Sequence, residues 1–212
     1  MAEAGAAATL GFADLVSQIA DDGRNTSRYL FGLAGPPGSG KSTVAARLAD
    51  ALGAVVVPMD GFHLDNAELD RLGLSEVKGA PETFDAAGFV RLVEQLTYSD
   101  GPVSAPTFDR LADRAIDGAI TVGRDDHIVI VEGNYLLLEH PPWAALRELF
   151  DRTAYIDVDD ATRVERLVAR HVSHGRSLED AREFVRTSDE ANAVIVAATR
   201  HRADVVLDPS LP

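Results

Sequence analysis

Residues 29–42 read YLFGLAGPPGSGKS, an apolar run followed by a glycine-rich segment that ends in Lys-Ser. The run YLFGLA over residues 29–34 is short and apolar, which predicts a buried strand, and residues 41–52 (KSTVAARLADAL) predict a helix. Between them, GPPGSGKS fits the pattern G-x-x-x-x-G-K-[ST], which binds phosphate when it joins a strand to a helix. A chance Gly/Pro turn before Lys-Ser is the alternative, and the strand–loop–helix context disfavours it.

The composition of this loop suits a nucleotide phosphate. Its glycines let the backbone curl so that successive N–H groups point at one place, and the helix N-terminus adds a partial positive charge. Lys41 can reach the β- and γ-phosphates, and the Ser42 hydroxyl can ligate Mg²⁺. The predicted nucleotide-binding residues are Gly35, Pro37, Gly38, Ser39, Gly40, Lys41, Ser42 and Thr43.

Strands and helices alternate along the rest of the chain. Further strands are predicted at residues 55–57, 128–131, 153–158 and 205–207. Further helices are predicted at residues 9–21, 86–97, 143–150, 160–172 and 178–199, and residues 61–85 are predicted as a long loop with room for a short helix. Alternation of this kind predicts a parallel α/β sheet, and without an evident linker or repeat we expect a single domain over residues 1–212.

Composition excludes several classes of function. The formal net charge of -14 argues against a large nucleic-acid interface, which needs a basic surface. The absence of cysteine excludes disulfides, thiolate metal sites and cysteine nucleophiles. No apolar run approaches the roughly 18 residues of a membrane span, and the alanine-rich start lacks the basic region of a signal peptide. We expect a soluble cytoplasmic protein without membrane contact; a homodimer is left open.

Two carboxylates follow predicted strands. Glu132 comes after the apolar residues 128–131, and Asp60 comes shortly after the valines of residues 55–57. Ligands of open parallel sheets bind beyond the carboxyl ends of the strands, so both side chains should face the phosphate loop. Glu132 is the predicted metal ligand together with Ser42, the alternative being a carboxylate held by backbone N–H groups.

Asp60 is placed to take the proton of an attacking hydroxyl and to aim its oxygen at a phosphate. The alternative is that it caps the segment that follows. Asp65 competes for the same role, and it ranks lower because it lies further into the loop.

Five segments carry a family resemblance. They are GPPGSGKST (residues 35–43), PMDGFHLDN (58–66), KGAPETFD (78–85), PTFDR (106–110) and VIVEGNYLLL (129–138). In this order and spacing they resemble the uridine kinase, pantothenate kinase and phosphoribulokinase superfamily of P-loop kinases, above all a bacterial branch called nucleoside/nucleotide kinase family or fructose-transport-system kinases. The resemblance extends over about residues 30–207.

The resemblance implies a three-layer α/β P-loop NTPase fold with a central parallel sheet and a helical lid. It also implies that ATP and Mg²⁺ are used and that the γ-phosphate passes to a small-molecule hydroxyl. By resemblance Asp60 is the general base and Glu132 the metal-binding carboxylate. A nucleoside such as uridine, pantothenate and a sugar all remain open as acceptors.

The same comparison suggests an acceptor site. Its predicted residues are Asp60, Phe62, His63, Lys78, Phe84, Arg110 and Tyr135. The alternatives are core packing for the aromatic rings, a solvated loop position for His63, and a surface ion pair with Asp109 or Asp113 for Arg110.

A cationic segment stands out on this acidic chain. Residues 162–176 (TRVERLVARHVSHGR) hold Arg163, Arg166 and Arg170, whose spacing of three and four predicts one helical face. In the resembling kinases the corresponding region, here about residues 160–177, is a lid that closes over ATP and delivers an arginine. A solvated helix with ion pairs to its own carboxylates is the alternative. The predicted catalytic residues are therefore Asp60, Lys41, Arg166 and Arg170.

The predicted function is that of an ATP- and Mg²⁺-dependent small-molecule kinase. The alternative is an ATP-binding regulatory or transporter-accessory protein with little kinase activity. Asn192, in the segment DEANA, belongs to the resembling pattern, and the sequence assigns it no mechanism.

Overall fold

The computed structural model describes residues 7–110 and 112–211, so most of the alanine-rich start lies outside the described residues. Eight strands occur in this part of the chain. They are β1 (Ala8–Leu10), β2 (Tyr29–Ala34), β3 (Val55–Pro58), β4 (Val103–Asp109), β5 (Arg114–Val122), β6 (Ile128–Gly133), β7 (Arg152–Ile156) and β8 (Val205–Leu207). Six of them form a parallel sheet in the order β1-β8-β7-β2-β6-β3, and β4 and β5 form a separate antiparallel hairpin.

Seven α-helices accompany these strands in the described residues. They are α1 (Phe12–Gly23), α2 (Lys41–Leu52), α3 (Asn66–Leu72), α4 (Ala86–Tyr98), α5 (Asp160–Ser173), α6 (Leu178–Phe184) and α7 (Glu190–Ala197). A π-helical turn, Val185–Asp189, joins α6 to α7, and short 3₁₀ turns include Met59–Phe62 and Trp143–Glu148.

The sheet is buried on both faces, which gives the three-layer arrangement. Successive side chains of a strand point to opposite faces, and along β2 Leu30 joins one hydrophobic cluster while Phe31 and Leu33 join the other. The cluster with Phe31 and Leu33 includes buried residues of α1 and α2, whereas the cluster with Leu30 includes those of α4. The predicted α/β fold class with a central parallel sheet is therefore confirmed.

Several local predictions differ from the structure. The first helix starts at Phe12 and not at residue 9, because residues 8–10 pair with β8 as a short edge strand. The hairpin of β4 and β5 was not predicted; most of β5 is exposed, so it lacks the alternation of a half-buried strand. The predicted helix over residues 178–199 is interrupted by the π turn.

The helix predicted at residues 143–150 is a 3₁₀ turn over Trp143–Glu148, and the other predicted strands and helices are confirmed within a few residues. No helix among the described residues is both long enough and apolar enough to cross a lipid bilayer.

Candidate active site

The phosphate loop lies between β2 and α2, as the sequence predicts. Gly38 and Gly40 have φ values of 78° and 88°, which L side chains rarely adopt, so the tight curl of the loop requires glycine at both positions. Because the loop follows β2, it lies at the carboxyl end of that strand. There its backbone and the first residues of α2 face one cavity of about 470 Å³.

Lys41 is a buried cation, and the negative charges around it offset only part of the cost of burying its positive charge. Its Nζ donates a hydrogen bond to the Pro36 carbonyl at 3.1 Å. Burial lowers the pKa of Lys41 from 10.5 to about 8, and the negative charges of Glu132 and Asp60 oppose that shift. An anion bound in the loop would supply the missing counter-charge, so the environment of Lys41 fits a nucleotide phosphate.

Glu132 is the penultimate residue of β6, which lies between β2 and β3 in the sheet. Its carboxylate is buried, and Oε1 accepts a hydrogen bond from the Ser42 hydroxyl at 2.9 Å. Burial and the nearby Asp60 raise the pKa of Glu132. Among the described residues there is no cluster of three or more His, Cys, Asp or Glu that could hold a metal.

The pair of Ser42 and Glu132 nevertheless fits Mg²⁺. This ion prefers oxygen ligands, and it usually takes one or two protein groups and completes its coordination with waters and substrate phosphates. A cation beside Glu132 would also stabilise its ionised form, and so would offset the burial and the Asp60 charge that raise its pKa.

Asp60 lies in the 3₁₀ turn that follows β3, and it lines the same cavity. Its Oδ2 accepts a hydrogen bond from Arg110 Nη2 at 2.5 Å, an ion pair in which 27% of the Asp60 side chain is exposed. Asp65 is not among the residues that line this cavity; its Oδ1 caps α3 by accepting from the Glu68 N–H at 2.8 Å. The capping role considered for Asp60 thus belongs to Asp65.

Most of the predicted site residues meet at this cavity. Its nucleotide side is lined by Pro37, Gly38, Gly40, Lys41, Ser42 and Thr43. Its opposite side is lined by Asp60, His63, Lys78, Phe84 and Arg110, and Glu132, Arg166 and Arg170 also line it. Gly35 and Ser39 of the loop do not line the cavity. Ser39 is 1% exposed, and the two residues pack closely, since a Cβ on Gly35 would lie 2.8 Å from Ser39 Oγ.

Two predicted acceptor residues do not line the cavity. Phe62 packs in the core, with its ring centroid 5.2 Å from that of Phe89. Tyr135 is buried, and its hydroxyl donates to the Gly79 carbonyl at 2.5 Å. For these two rings the structure favours the alternative of core packing, because Tyr135 belongs to the hydrophobic core and Phe62 packs against it.

The hairpin of β4 and β5 contributes side chains that the sequence did not single out. The His63 ring lies between Phe84 and Phe108, at centroid distances of 4.0 and 4.8 Å. Lys78 Nζ donates to Asp113 Oδ2 at 2.8 Å, which ties the hairpin turn to the segment before Phe84. These two ring contacts make His63 part of an aromatic wall and not a solvated loop position, and its burial there lowers the pKa of the imidazole. The PTFDR segment was the available signal for Phe108.

The three arginines of α5 do not share one environment. Arg163 is 2% exposed and points into the protein, whereas Arg166 and Arg170 line the cavity. Asn192 of α7 also lines the cavity and is 6% exposed, which gives this residue the location that the sequence left open. On the same side, His171 Nε2 and Asp189 Oδ2 are 2.8 Å apart.

The phosphate loop, the carboxylates Asp60 and Glu132, and the cationic residues of α5 all line one cavity. Over residues 30–211, the chain matches the model of the Phosphoribulokinase / Uridine kinase family. The chain belongs to this family. Membership identifies the protein as a P-loop kinase.

Individual relatives agree with this family. A Schizosaccharomyces pombe protein named "Putative uridine kinase C227.14" is 38% identical over 200 residues, covering 87% of this chain and 84% of the relative. A solved structure named "putative fructose transport system kinase", from Silicibacter sp. TM1040, superposes with a TM-score of 0.87 at 42% identity, covering 93% of this chain and 98% of that one. The pantothenate kinase of Clavibacter sepedonicus is 38% identical over 138 residues, which are 61% of this chain and 43% of the relative.

Proposed function

We propose that this chain is an ATP- and Mg²⁺-dependent kinase that transfers the γ-phosphate of ATP to a hydroxyl of a small molecule. One observation carries the proposal: Lys41, the hydrogen-bonded pair of Ser42 and Glu132, and Asp60 all face one cavity. Phosphoryl transfer needs a phosphate cradle, a metal-binding carboxylate and a group that accepts the hydroxyl proton, and these side chains supply them.

The nucleotide side holds the phosphates. The loop backbone and the Lys41 ammonium bind them, and Ser42 and Glu132 would hold Mg²⁺. When bound, this ion neutralises charge on the phosphate oxygens. Arg166 extends the cradle, because its Nη1 lies 3.6 Å from the position of a Cβ on Gly40.

Arg170 is the cation placed for the transferring phosphoryl group. Its location lowers its pKa, chiefly through burial and then through repulsion by Arg110. Within the described residues, no carboxylate lies within ion-pair distance of its guanidinium. A mostly buried cation without a direct partner favours an anion, and a fixed positive charge beside the developing charge stabilises the transition state.

Asp60 acts as the general base in this proposal. Arg110 holds Oδ2 and thereby fixes the orientation of the carboxylate, which leaves Oδ1 to accept the proton of the acceptor hydroxyl. Removing that proton as the oxygen attacks the phosphorus avoids a build-up of positive charge on the attacking oxygen.

The walls around Asp60 indicate the kind of acceptor. His63, Phe84 and Phe108 offer flat apolar surface, while the buried amide of Asn192 offers both a donor and an acceptor. A polar molecule with one flat or apolar face fits this combination. A nucleoside such as uridine, pantothenate or a sugar meets the description, and the names of the relatives cover these same classes.

The test is ADP release from Mg·ATP across a panel of nucleosides, pantothenate and sugars, with wild type, Asp60→Asn and the control Asp65→Asn. One acceptor should raise turnover, and Asp60→Asn should lower that turnover by about 10²–10⁴-fold while still binding nucleotide. Asp65→Asn alters only the α3 cap and should keep wild-type turnover.

Wild-type turnover in Asp60→Asn would show that another group is the base. Tight nucleotide binding without a response to any acceptor would favour the alternative of a regulatory or transporter-accessory protein.

A further inference from the structure

Among the described residues, Arg163 is the largest fully buried side chain, although it carries a charge. Its guanidinium makes contacts on three sides. Nη1 donates to the Pro37 carbonyl at 3.0 Å, and Nη2 donates to Asp160 Oδ1 at 2.8 Å and to Glu190 Oε1 at 2.9 Å. One side chain therefore joins the phosphate loop, the first turn of α5 and the first residue of α7.

Burial of this arginine calls for an explanation beyond ion pairing. Removing a charged group from water is costly, and apolar residues of similar volume often stabilise a core at least as well. Asp160, by contrast, is 85% exposed, so this ion pair alone could form at the surface without burying Arg163. The contact that requires burial is the bond to the Pro37 carbonyl, which lies inside the loop.

That bond fixes a peptide plane of the phosphate loop. In a planar trans peptide the C=O and the N–H point in opposite directions. By holding the Pro37 carbonyl towards α5, Arg163 directs the N–H of Gly38 away from α5. Pro37 and Gly38 both line the nucleotide side of the cavity.

Packing between α5 and the loop makes the same connection. A Cβ on Gly38 would lie 2.7 Å from the Arg163 carbonyl oxygen and 2.8 Å from Leu167 Cγ. Leu167 is fully buried, so the loop tip is seated directly on the first two turns of the helix. These turns therefore support the loop through direct packing.

We infer that Arg163 is a positioning residue for the nucleotide: by holding the Pro37–Gly38 peptide, it presents the Gly38 N–H to the phosphates, and Asp160 and Glu190 hold Arg163 in turn. This inference rests on the proposed nucleotide site. It also connects that site to α7, whose Asn192 lines the acceptor side of the cavity.

The test measures dissociation constants for Mg·ADP and for inorganic tripolyphosphate by calorimetry, together with the melting temperature of each unliganded variant. The variants are Arg163→Met, Arg163→Lys and Glu190→Gln. The matched control is Arg28→Met: Arg28 also donates to two backbone carbonyls, those of Leu96 and Gly123, and it precedes β2 at the opposite end from the loop.

Arg163→Met should weaken binding of both ligands by about 10-fold or more. This is the size expected when the hydrogen bond from the Gly38 N–H to a charged phosphate is lost. Arg163→Lys should recover part of the affinity, because an ammonium can still reach one carbonyl. Arg28→Met should lower the melting temperature and leave both dissociation constants unchanged. A merely structural role for Arg163 would lower its melting temperature in the same way without a phosphate-specific loss.

Wild-type affinity in a folded Arg163→Met, or an equal loss in Arg28→Met, would overturn the inference. If Arg163→Met does not fold, Glu190→Gln decides: it should weaken tripolyphosphate binding by about 3-fold or more, and an unchanged affinity refutes the inference. Failure of the wild type to bind Mg·ADP would instead refute the proposed function.

Discussion

Protonation of Lys41 should make nucleotide binding depend on pH in a way that the structure quantifies. Burial lowers the pKa of the free protein's Lys41 to about 8. A bound phosphate supplies the opposite charge and should return the pKa to its ordinary range of about 10.5 or above. The site therefore takes up a proton when nucleotide binds, provided that the pH is near or above 8.

The size of the effect follows from these two values. Wild-type protein should take up about 0.1 proton per Mg·ADP at pH 7, about 0.5 at pH 8 and about 0.9 at pH 9. If only the protonated form binds well, affinity should fall about 2-fold at pH 8 and about 10-fold at pH 9 relative to its low-pH limit. Calorimetry in buffers of different ionisation enthalpy measures the uptake directly.

Asp60→Asn provides an internal check on this reasoning. Asp60 raises the pKa of Lys41, so its neutralisation should lower that pKa further and move the proton uptake to lower pH. The variant should therefore take up more than the wild-type fraction at pH 8. A proton uptake that does not change between pH 7 and pH 9, or a variant identical to wild type, would refute the assignment of Lys41 as the partly neutral cation of the loop.

Two further predictions address side chains around the metal and acceptor positions. Burial raises the pKa of Glu132 above its ordinary value of 4.5, so the stability of the fold falls as the pH rises above 4.5 and the carboxyl of the unfolded chain ionises. Glu132→Gln removes this penalty and should raise the melting temperature near neutral pH, while Mg²⁺-dependent turnover falls by about 100-fold or more. Phe62→Ala should lower stability by about 2–4 kcal/mol with an unchanged KM for the acceptor, because Phe62 packs on Phe89, whereas Phe108→Ala should raise that KM.

The central sheet was predictable because its strands leave a strong local signal. β2 and β6 are largely apolar runs buried on both faces. Gly35 follows β2, and β6 ends with Glu132 and Gly133. The phosphate loop adds a motif with a fixed context. Short edge strands leave less to detect: β1 has three residues, and its pairing with β8 brings together the two ends of the chain.

The acceptor side was harder to predict, because its residues come from segments without a regular period. Phe108 and Asp113 lie on a hairpin whose strands are interrupted by a register shift between Ala105 and Thr107, and whose second strand is mostly exposed. Phe62 and His63 are neighbours in the sequence, yet one faces the core and the other the cavity. Residue type alone could not separate them, since an aromatic ring suits either place.

The same limit applies to the arginines of α5. Their spacing correctly indicates one side of a helix, but one turn of that helix faces the loop backbone and the next faces the cavity. Arg163 therefore becomes a buried support, whereas Arg166 and Arg170 remain available to a ligand. Sequence spacing gives the angular position of a side chain, and only the packing of the helix decides what lies opposite each turn.

The acidic character of the whole chain and the proposed binding of a polyanion are compatible for a physical reason. At physiological ionic strength, interactions of exposed charges are largely screened beyond about 8 Å, so the distant surface carboxylates that contribute to the net charge of -14 act only weakly on the cavity. There the potential depends on the nearest groups, and Lys41, Arg110, Arg166 and Arg170 reach the cavity from separate parts of the fold. Lys41 and Arg170 are also mostly buried, which strengthens their interaction with an anion. The folded arrangement therefore creates a local anion site that the composition of the chain would argue against.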